Sequence, residues 1–498
     1  MSGYFTDEDY SETYFPFLSP GHLQWTAAVC GGKLVKPLRS YCELGFGKGR
    51  SLAVHSLSML DGSAGVDLMP THVHHAESLI RALDPESLNA NYVVGRFDDL
   101  DQLFEGKKFD AIVAHGVISW VSPNDLESII EFVRKRLNPG GIFYVSYNLI
   151  WGWEGTRTIR ELFKEAFQVI YSGGKSSSTV IDAITKALDA VEAEIGKCEP
   201  RHACYELWSQ MIQSMREKAK TEGDYLPHEY LNEYWNLFNF AEVKNRLERI
   251  ELDFGCDSDP KIYLRQGLMG PTGGEIGKQT TFDVSNRRQF RSDIWTYGAH
   301  HLTGKDIVRF LGEAHYVRRA ALPFIEQILT EKLKVSAQAK LELKEFILNA
   351  GQFSGQQFVK GWGQEVSESE RRGVLIVLVG EGVIAPLVDP QFRCRSNTRL
   401  FNAAPERWKE IGEGQKGYLA SPATTAAIRL TKEEILLTQS FFNRHRGKSI
   451  ESVSDNELQE AMLEVSEAVA SGWPSDQDKY LKAFREDLIP LLIGLEIL

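Results

Sequence analysis

The stretch Ser40-Tyr41-Cys42-Glu43-Leu44-Gly45-Phe46-Gly47-Lys48-Gly49-Arg50-Ser51 decides how the first third of this chain is read. A β-rich run over Ser40–Leu44 passes into three alternating glycines, and an apolar helical run follows through Leu52, Ala53, Leu57 and Met59. Glycines at such a turn let the backbone bend sharply and approach a ligand closely. The free amides of the helix behind them suit an anionic group. Outward from this loop, Gly62–Val66, Asn91–Val94, Phe109–Ala114 and Ile142–Tyr147 read as further strands separated by helical patterns. Their largely unbroken apolar character fits a parallel sheet covered on both faces, so the fold class is α/β. The helix before the last strand has its own punctuation, with Ser122 as N-cap, Pro123 at its first position and a turn at Asn138-Pro139-Gly140-Gly141.

The kind of nucleotide follows from what surrounds the loop. The spacing G-x-G-x-G, with Glu43 just ahead of it across Leu44, differs from the G-x-G-x-x-G of dinucleotide enzymes and fits S-adenosyl-L-methionine, whose carboxylate would meet the loop amides. Asp67 closes the second strand, where a carboxylate accepts hydrogen bonds from ribose hydroxyls, and Leu68 follows it. Phe97 and Asp98 follow the third strand, where an apolar face and an acid suit an adenine ring and its amino group. The fourth strand runs into His115 and Gly116, and ligands of parallel sheets bind at the carboxyl ends of the strands. Gly45, Gly47, Gly49, Glu43, Asp67, Leu68, Phe97, Asp98, His115 and Gly116 are therefore the candidate cofactor-binding set. Trp120, Tyr147 and Trp153 are the catalytic candidates, because aromatic faces attract a sulfonium or alkylammonium charge. His115 is the nearest general base for a hydroxyl acceptor, with donor binding as its preferred role.

Three stretches carry a resemblance: Ala114-His115-Gly116-Val117-Ile118-Ser119-Trp120-Val121, Tyr144-Val145-Ser146-Tyr147-Asn148, and the pair Gly152-Trp153. They resemble bacterial class I methyltransferases that carry a methyltransferase regulatory domain, a group that includes lysine methyltransferases acting on outer-membrane proteins. The likeness continues more faintly into His228-Glu229-Tyr230-Leu231 and Asn286–Arg291. It implies a Rossmann-like methyltransferase domain over 1–156, a helical middle or regulatory domain over 157–299 and an α+β, winged-helix-like C-terminal domain over 300–498. The chain departs from the family pattern in the arm Tyr14–His22, at Ile118 where tyrosine is common, and at Trp151 where proline is common. All three fall on the expected acceptor side, so the resemblance carries over the donor and leaves the acceptor open between a protein amine and a glycan or small-molecule hydroxyl. A catalytically silent binding module is the reading from another class.

The remaining sequence bounds the answer. At 498 residues the chain exceeds one core, and a net charge of −12 excludes broad nucleic-acid binding, which needs clustered cations. Apolar residues make up 43%, yet no run approaches a membrane span, and the acidic, aromatic N-terminus lacks the marks of a signal peptide. A cytoplasmic protein is expected. Six scattered cysteines form no CxxC pair, and His202 and Cys204 lack partners for a zinc set, so no metal is expected. His72, His74 and His75 read as a solvated helix face, Arg287, Arg288 and Arg291 as a solvated or ion-paired helix face with an anionic acceptor or partner as the other reading, and Gly174-Lys175-Ser176 as a linker. Helices are expected at Asp306–Glu326 and Ala337–Ala350, a helix then strand over Glu370–Leu387, and capping boxes at Thr431…Glu434 and Ser454…Glu457.

Overall fold

The computed structural model describes residues 4–7, 13–81, 83, 88–172, 179–197, 204–221, 226–267, 274–394, 397–398, 401–402, 416–431, 434–435, 438, 482 and 484–497. The linker reading at Gly174–Ser176, His202 and the Ser454…Glu457 box lie outside them.

Seven strands form the central sheet: β1 (Ser40–Leu44), β2 (Gly62–Asp67), β3 (Ala90–Val94), β4 (Phe109–Ala114), β5 (Leu137–Asn148), β6 (Asp253–Asp257) and β7 (Phe290–Thr296). Their order across the sheet is β3-β2-β1-β4-β5-β7-β6, with β3 to β5 parallel and β7 antiparallel to both its neighbours. The strand order reverses between β1 and β4, the point at which doubly wound sheets bind ligands outside their carboxyl ends. Every residue of β1 and β2 is buried, as expected of strands covered on both faces, the polar Ser40, Glu43, Ser63 and Asp67 included. Covering helices include α1 (Pro20–Val29), α2 (Arg50–Ser56), α3 (Pro70–Ile80) and α4 (Pro123–Arg136). Ser122 caps α4 as expected, its hydroxyl accepting the Asp125 N–H. The Asn138–Gly141 signal lies inside β5 rather than before it; Gly140 takes φ +84° and the ladder slips register there.

From Arg157 the chain forms three helices, α5 (Arg157–Ser172), α6 (Val180–Ile195) and α7 (Tyr205–Thr221). Their apolar stripes meet through Phe163, Phe167, Ile184, Leu188 and Met215. The stretch after them is less helical than expected. Following α8 (Phe240–Glu248), β6 and β7 rejoin the central sheet with α9 (Gly274–Ser285) between them. These two strands had no apolar signature because their buried positions hold charges. Arg291 is ion-paired with Asp283 and Asp293, and Arg288 with Asp257 and Asp283, so that pairing replaces water.

The last unit contains α10 (Gly304–Glu313), β8 (His315–Arg318), α11 (Leu322–Lys332), α12 (Ala337–Asn349), β9 (Gln352–Ser354), α13 (Gly355–Lys360), α14 (Glu368–Gly380) and β10 (Ile384–Pro386). Strand β8 divides the helix expected over Asp306–Glu326, because Tyr316 and Val317 are buried as the middle strand of an antiparallel β9-β8-β10 sheet. A hairpin of β11 (Lys416–Ser421) and β12 (Ala426–Thr431) follows, and the Thr431…Glu434 box forms with both reciprocal bonds. Among the described residues no helix is long and apolar enough to cross a membrane.

Candidate active site

The glycine loop is built by left-handed backbone at Gly45, Gly47 and Gly49, with φ of +66°, +58° and +70°. A side chain is excluded on two counts at Gly49, where an added Cβ would stand 2.4 Å from Ala76 Cβ. Asp67 locks the loop to the end of β2. Its Oδ2 accepts the Gly47 N–H at 2.8 Å, and its Oδ1 accepts the Met69 N–H at 3.0 Å and faces His72 Nδ1 at 3.0 Å. A carboxylate offers about four lone-pair sites, so the Oδ2 side retains one for a ribose hydroxyl. Two of the three helix histidines thus depart from the expected solvated face: His72 is buried against Asp67, and His75 Nδ1 meets the Lys48 carbonyl at 2.7 Å. Helix α3 braces the loop through them. Among the described residues no group of His, Cys, Asp and Glu could hold a metal ion.

Glu43 lies beneath the loop at 4% exposure, and the Tyr41 hydroxyl donates to it at 3.2 Å. Burial pushes its carboxyl up to about 8, against the lowering pull of that hydroxyl. Leu68 and Phe97 are half-buried at the ends of β2 and β3. Asp98 is exposed and ion-paired with Arg96 at 3.0 Å. At Gly116, with φ +65°, an added Cβ would meet nothing within 4 Å, which marks open space at the end of β4. A cradle of glycines, a carboxylate with a spare lone pair and open space beside His115 fit the methionine, ribose and adenine portions of S-adenosyl-L-methionine. The predicted cofactor residues lie at or just past the ends of β1 to β4, on the carboxyl side of the sheet, with Asp98 turned to solvent beside Arg96.

His115, at the end of β4, lies inside a ring of polar and aromatic side chains. Its Nδ1 lies 3.0 Å from both the Tyr144 hydroxyl and Ser146 Oγ, and Ser146 Oγ also accepts the Gly116 N–H at 2.7 Å. Four rings surround the imidazole: Phe15 at 4.4 Å, Phe17 at 5.3 Å, and Tyr144 and Phe290 each at 5.8 Å. Burial among them lowers the His115 pKa to about 4, so the ring is neutral at pH 7. The sequence pointed to the arm Tyr14–His22 without singling out Phe15 or Phe17, and Phe290 reaches His115 only because β7 pairs with β5.

Two of the three catalytic candidates lie elsewhere. Tyr147 faces away from His115 because side chains alternate along β5; it is fully buried and its hydroxyl donates to Asp293 at 2.7 Å. Trp153 packs edge-to-face on Trp235 at 5.6 Å, its indole N–H donating to the Gln289 carbonyl, within the core of the helical unit. Trp120 remains at the edge, buried in a 3₁₀ turn over Ile118–Trp120. Asn236 holds that turn, its Nδ2 donating to the Ile118 and Val121 carbonyls and its N–H to the Ser119 carbonyl.

Comparison with known proteins bears on the family and the fold. Residues 42–141 match the family model described as a methyltransferase domain, and residues 222–297 match that of a predicted methyltransferase regulatory domain. An uncharacterized protein of Synechocystis is 27% identical over 87% of each chain. Another from Rickettsia prowazekii is 25% identical over 80% of this chain and 68% of its own. The solved structure of PKMT2 from Rickettsia typhi in complex with AdoHcy superposes with a TM-score of 0.64 over 98% of each chain at 20% identity, a likeness of fold. Strand order, glycine loop and both family models converge: the chain is a methyltransferase of the S-adenosyl-L-methionine-dependent class that carries a methyltransferase regulatory domain.

Proposed function

We propose that the protein methylates a primary amine of the lysine type on a protein substrate. The observation that carries this reading is the neutral, ring-walled surroundings of His115, with Phe15, Phe17 and Phe290 around an imidazole whose pKa is lowered to about 4. Aromatic faces favour an alkylammonium product by cation–π attraction. A hydroxyl acceptor would instead call for a general base near neutrality, and a histidine titrating at about 4 is a poor one. Bound at this edge, S-adenosyl-L-methionine supplies an electrophilic methyl group on a sulfonium. The glycine loop and Asp67 hold the donor, Leu68 and Phe97 offer apolar faces to its adenine, and Glu43 would pair with its ammonium. The Phe15 and Phe17 rings exclude water from the reacting edge, so alignment rather than proton transfer is the main contribution.

The sequence resemblance to lysine methyltransferases and the full-length fold likeness to PKMT2 support a protein acceptor. We place the enzyme in the cytoplasm, where the buried thiols of Cys30, Cys42 and Cys256 remain reduced. The test is incubation with methyl-labelled donor and host lysate, followed by protease digestion and acid hydrolysis. Label recovered as methylated lysine is expected; label in protease-resistant glycan or in soluble metabolites removes the reading.

A further inference from the structure

Asn148 ends β5 at 4% exposure with its backbone fully engaged. Its N–H donates to Ser119 Oγ at 2.8 Å, and its carbonyl accepts the Phe238 N–H at 2.9 Å. The side-chain Nδ2, in contrast, has no hydrogen-bond partner. A buried amide left unpaired is costly, so one that faces a binding edge marks where a ligand supplies the missing partner. Alternation along β5 puts Tyr144, Ser146 and Asn148 on one face. The first two reach His115 Nδ1, and Asn148 continues the row toward the carboxyl edge. Across the ladder it pairs with Phe290, whose ring stands edge-on to His115 at 5.8 Å. The amide therefore lies on the His115 side, one strand beyond the donor edge, where an acceptor approaches.

We propose that the Asn148 carboxamide binds the acceptor nitrogen and presents it to the donor methyl as a neutral amine, an assignment that rests on the amine-methylation reading above. A carboxamide accepts an N–H through its oxygen and donates through its nitrogen, the two ends exchanging by rotation of the side chain. Unlike a carboxylate, it carries no charge that would keep a third proton on the amine. The nitrogen lone pair then forms the new N–C bond while the C–S bond breaks, its electron pair staying on sulfur as a neutral thioether. The methylammonium formed loses its proton to water.

The test needs no known acceptor. Calorimetry on the full chain compares S-adenosylhomocysteine with sinefungin, the donor analogue bearing an amine where the donor has its transferable methyl. Asn148→Ala is expected to bind S-adenosylhomocysteine within about twofold of wild type and to lose roughly tenfold of its relative affinity for sinefungin. Asn148→Asp keeps the shape and adds a charge opposite the ammonium, so its preference for sinefungin should rise by about tenfold or more. If Asn148→Ala fails to fold, the isosteric Asp variant decides alone, and a preference no higher than wild type overturns the proposal. An unchanged ratio in both variants, or a parallel loss of both ligands, overturns it too. Failure of the wild type to bind either ligand removes the donor site itself, and this assignment with it.

Discussion

Two carboxylates of the donor edge have opposite characters. Asp67 is engaged by the Gly47 and Met69 amides and by His72, so it braces the loop, and its remaining lone pair is the one proposed for the donor ribose. Asp67→Ala should weaken donor binding by about 1–3 kcal/mol, measured by calorimetry; unchanged affinity in a folded variant would refute the role. Glu43 is desolvated, and with a pKa of about 8 it is mostly protonated at pH 7. The donor ammonium should pair with its ionised form. Donor affinity is therefore expected to rise by nearly tenfold per pH unit from about pH 6 toward 8, then level off. Binding at pH 7 should release a proton, detectable as heats that depend on the buffer, and an affinity flat across this range would sink the pairing. Stability has its own signs. Glu43, with its pKa raised from 4.5 to about 8, contributes stability at low pH that is lost as pH rises through 8. His115 and His55, lowered from 6.5 to about 4 and about 3, destabilise the fold as pH falls below 6.5.

At the scale of elements, the turn after β4 and the exit of β5 are held from outside the parallel strands. Asn236 clasps the Ile118–Trp120 turn, and Phe238 bonds to both ends of the β5 exit, accepting from the Ile150 N–H and donating to the Asn148 carbonyl. Both residues lie in the segment that matches the regulatory-domain model. Asn236→Ala should release the turn, lowering stability by about 1–2 kcal/mol in urea unfolding. It should leave S-adenosylhomocysteine affinity intact while methyl transfer falls. Unchanged transfer in a destabilised variant would show that the clasp is structural only.

Across the whole molecule, the N-terminal arm joins units far apart in sequence. The Phe5 N–H donates to Asn232 Oδ1 at 2.8 Å on the helical unit, while the Tyr14 hydroxyl accepts the Ala427 N–H at 2.7 Å on the β11–β12 hairpin. Between these anchors and the sheet, Phe15 and Phe17 cover His115. Tyr14→Phe leaves a buried N–H unpaired and should cost about 1–3 kcal/mol by urea unfolding. No loss of stability would mean that the arm is held by its rings alone.

The sequence by itself determined the glycine loop and the strands that end beside it. Glycines in left-handed backbone, acids at strand ends and apolar runs in parallel strands are local requirements, so Gly45 to Gly49, Asp67 and His115 could be named from residue type and spacing. Strand β7 was not legible, because Arg291 and Asp293 are polar by type and become interior only when Asp283 pairs with the arginine. Strand β8 was hidden for a related reason, since burial between two partner strands outweighed a helical pattern. Tyr147 and Trp153 were near the site in sequence and away from it in space, because strand alternation and the turn after β5 carry them into other cores. What only the tertiary structure decided is the surroundings of His115 and of the Ile118–Trp120 turn. Phe15, Asn148, Asn236 and Phe290 come from four separate segments, and their meeting depends on long-range packing that no local pattern encodes.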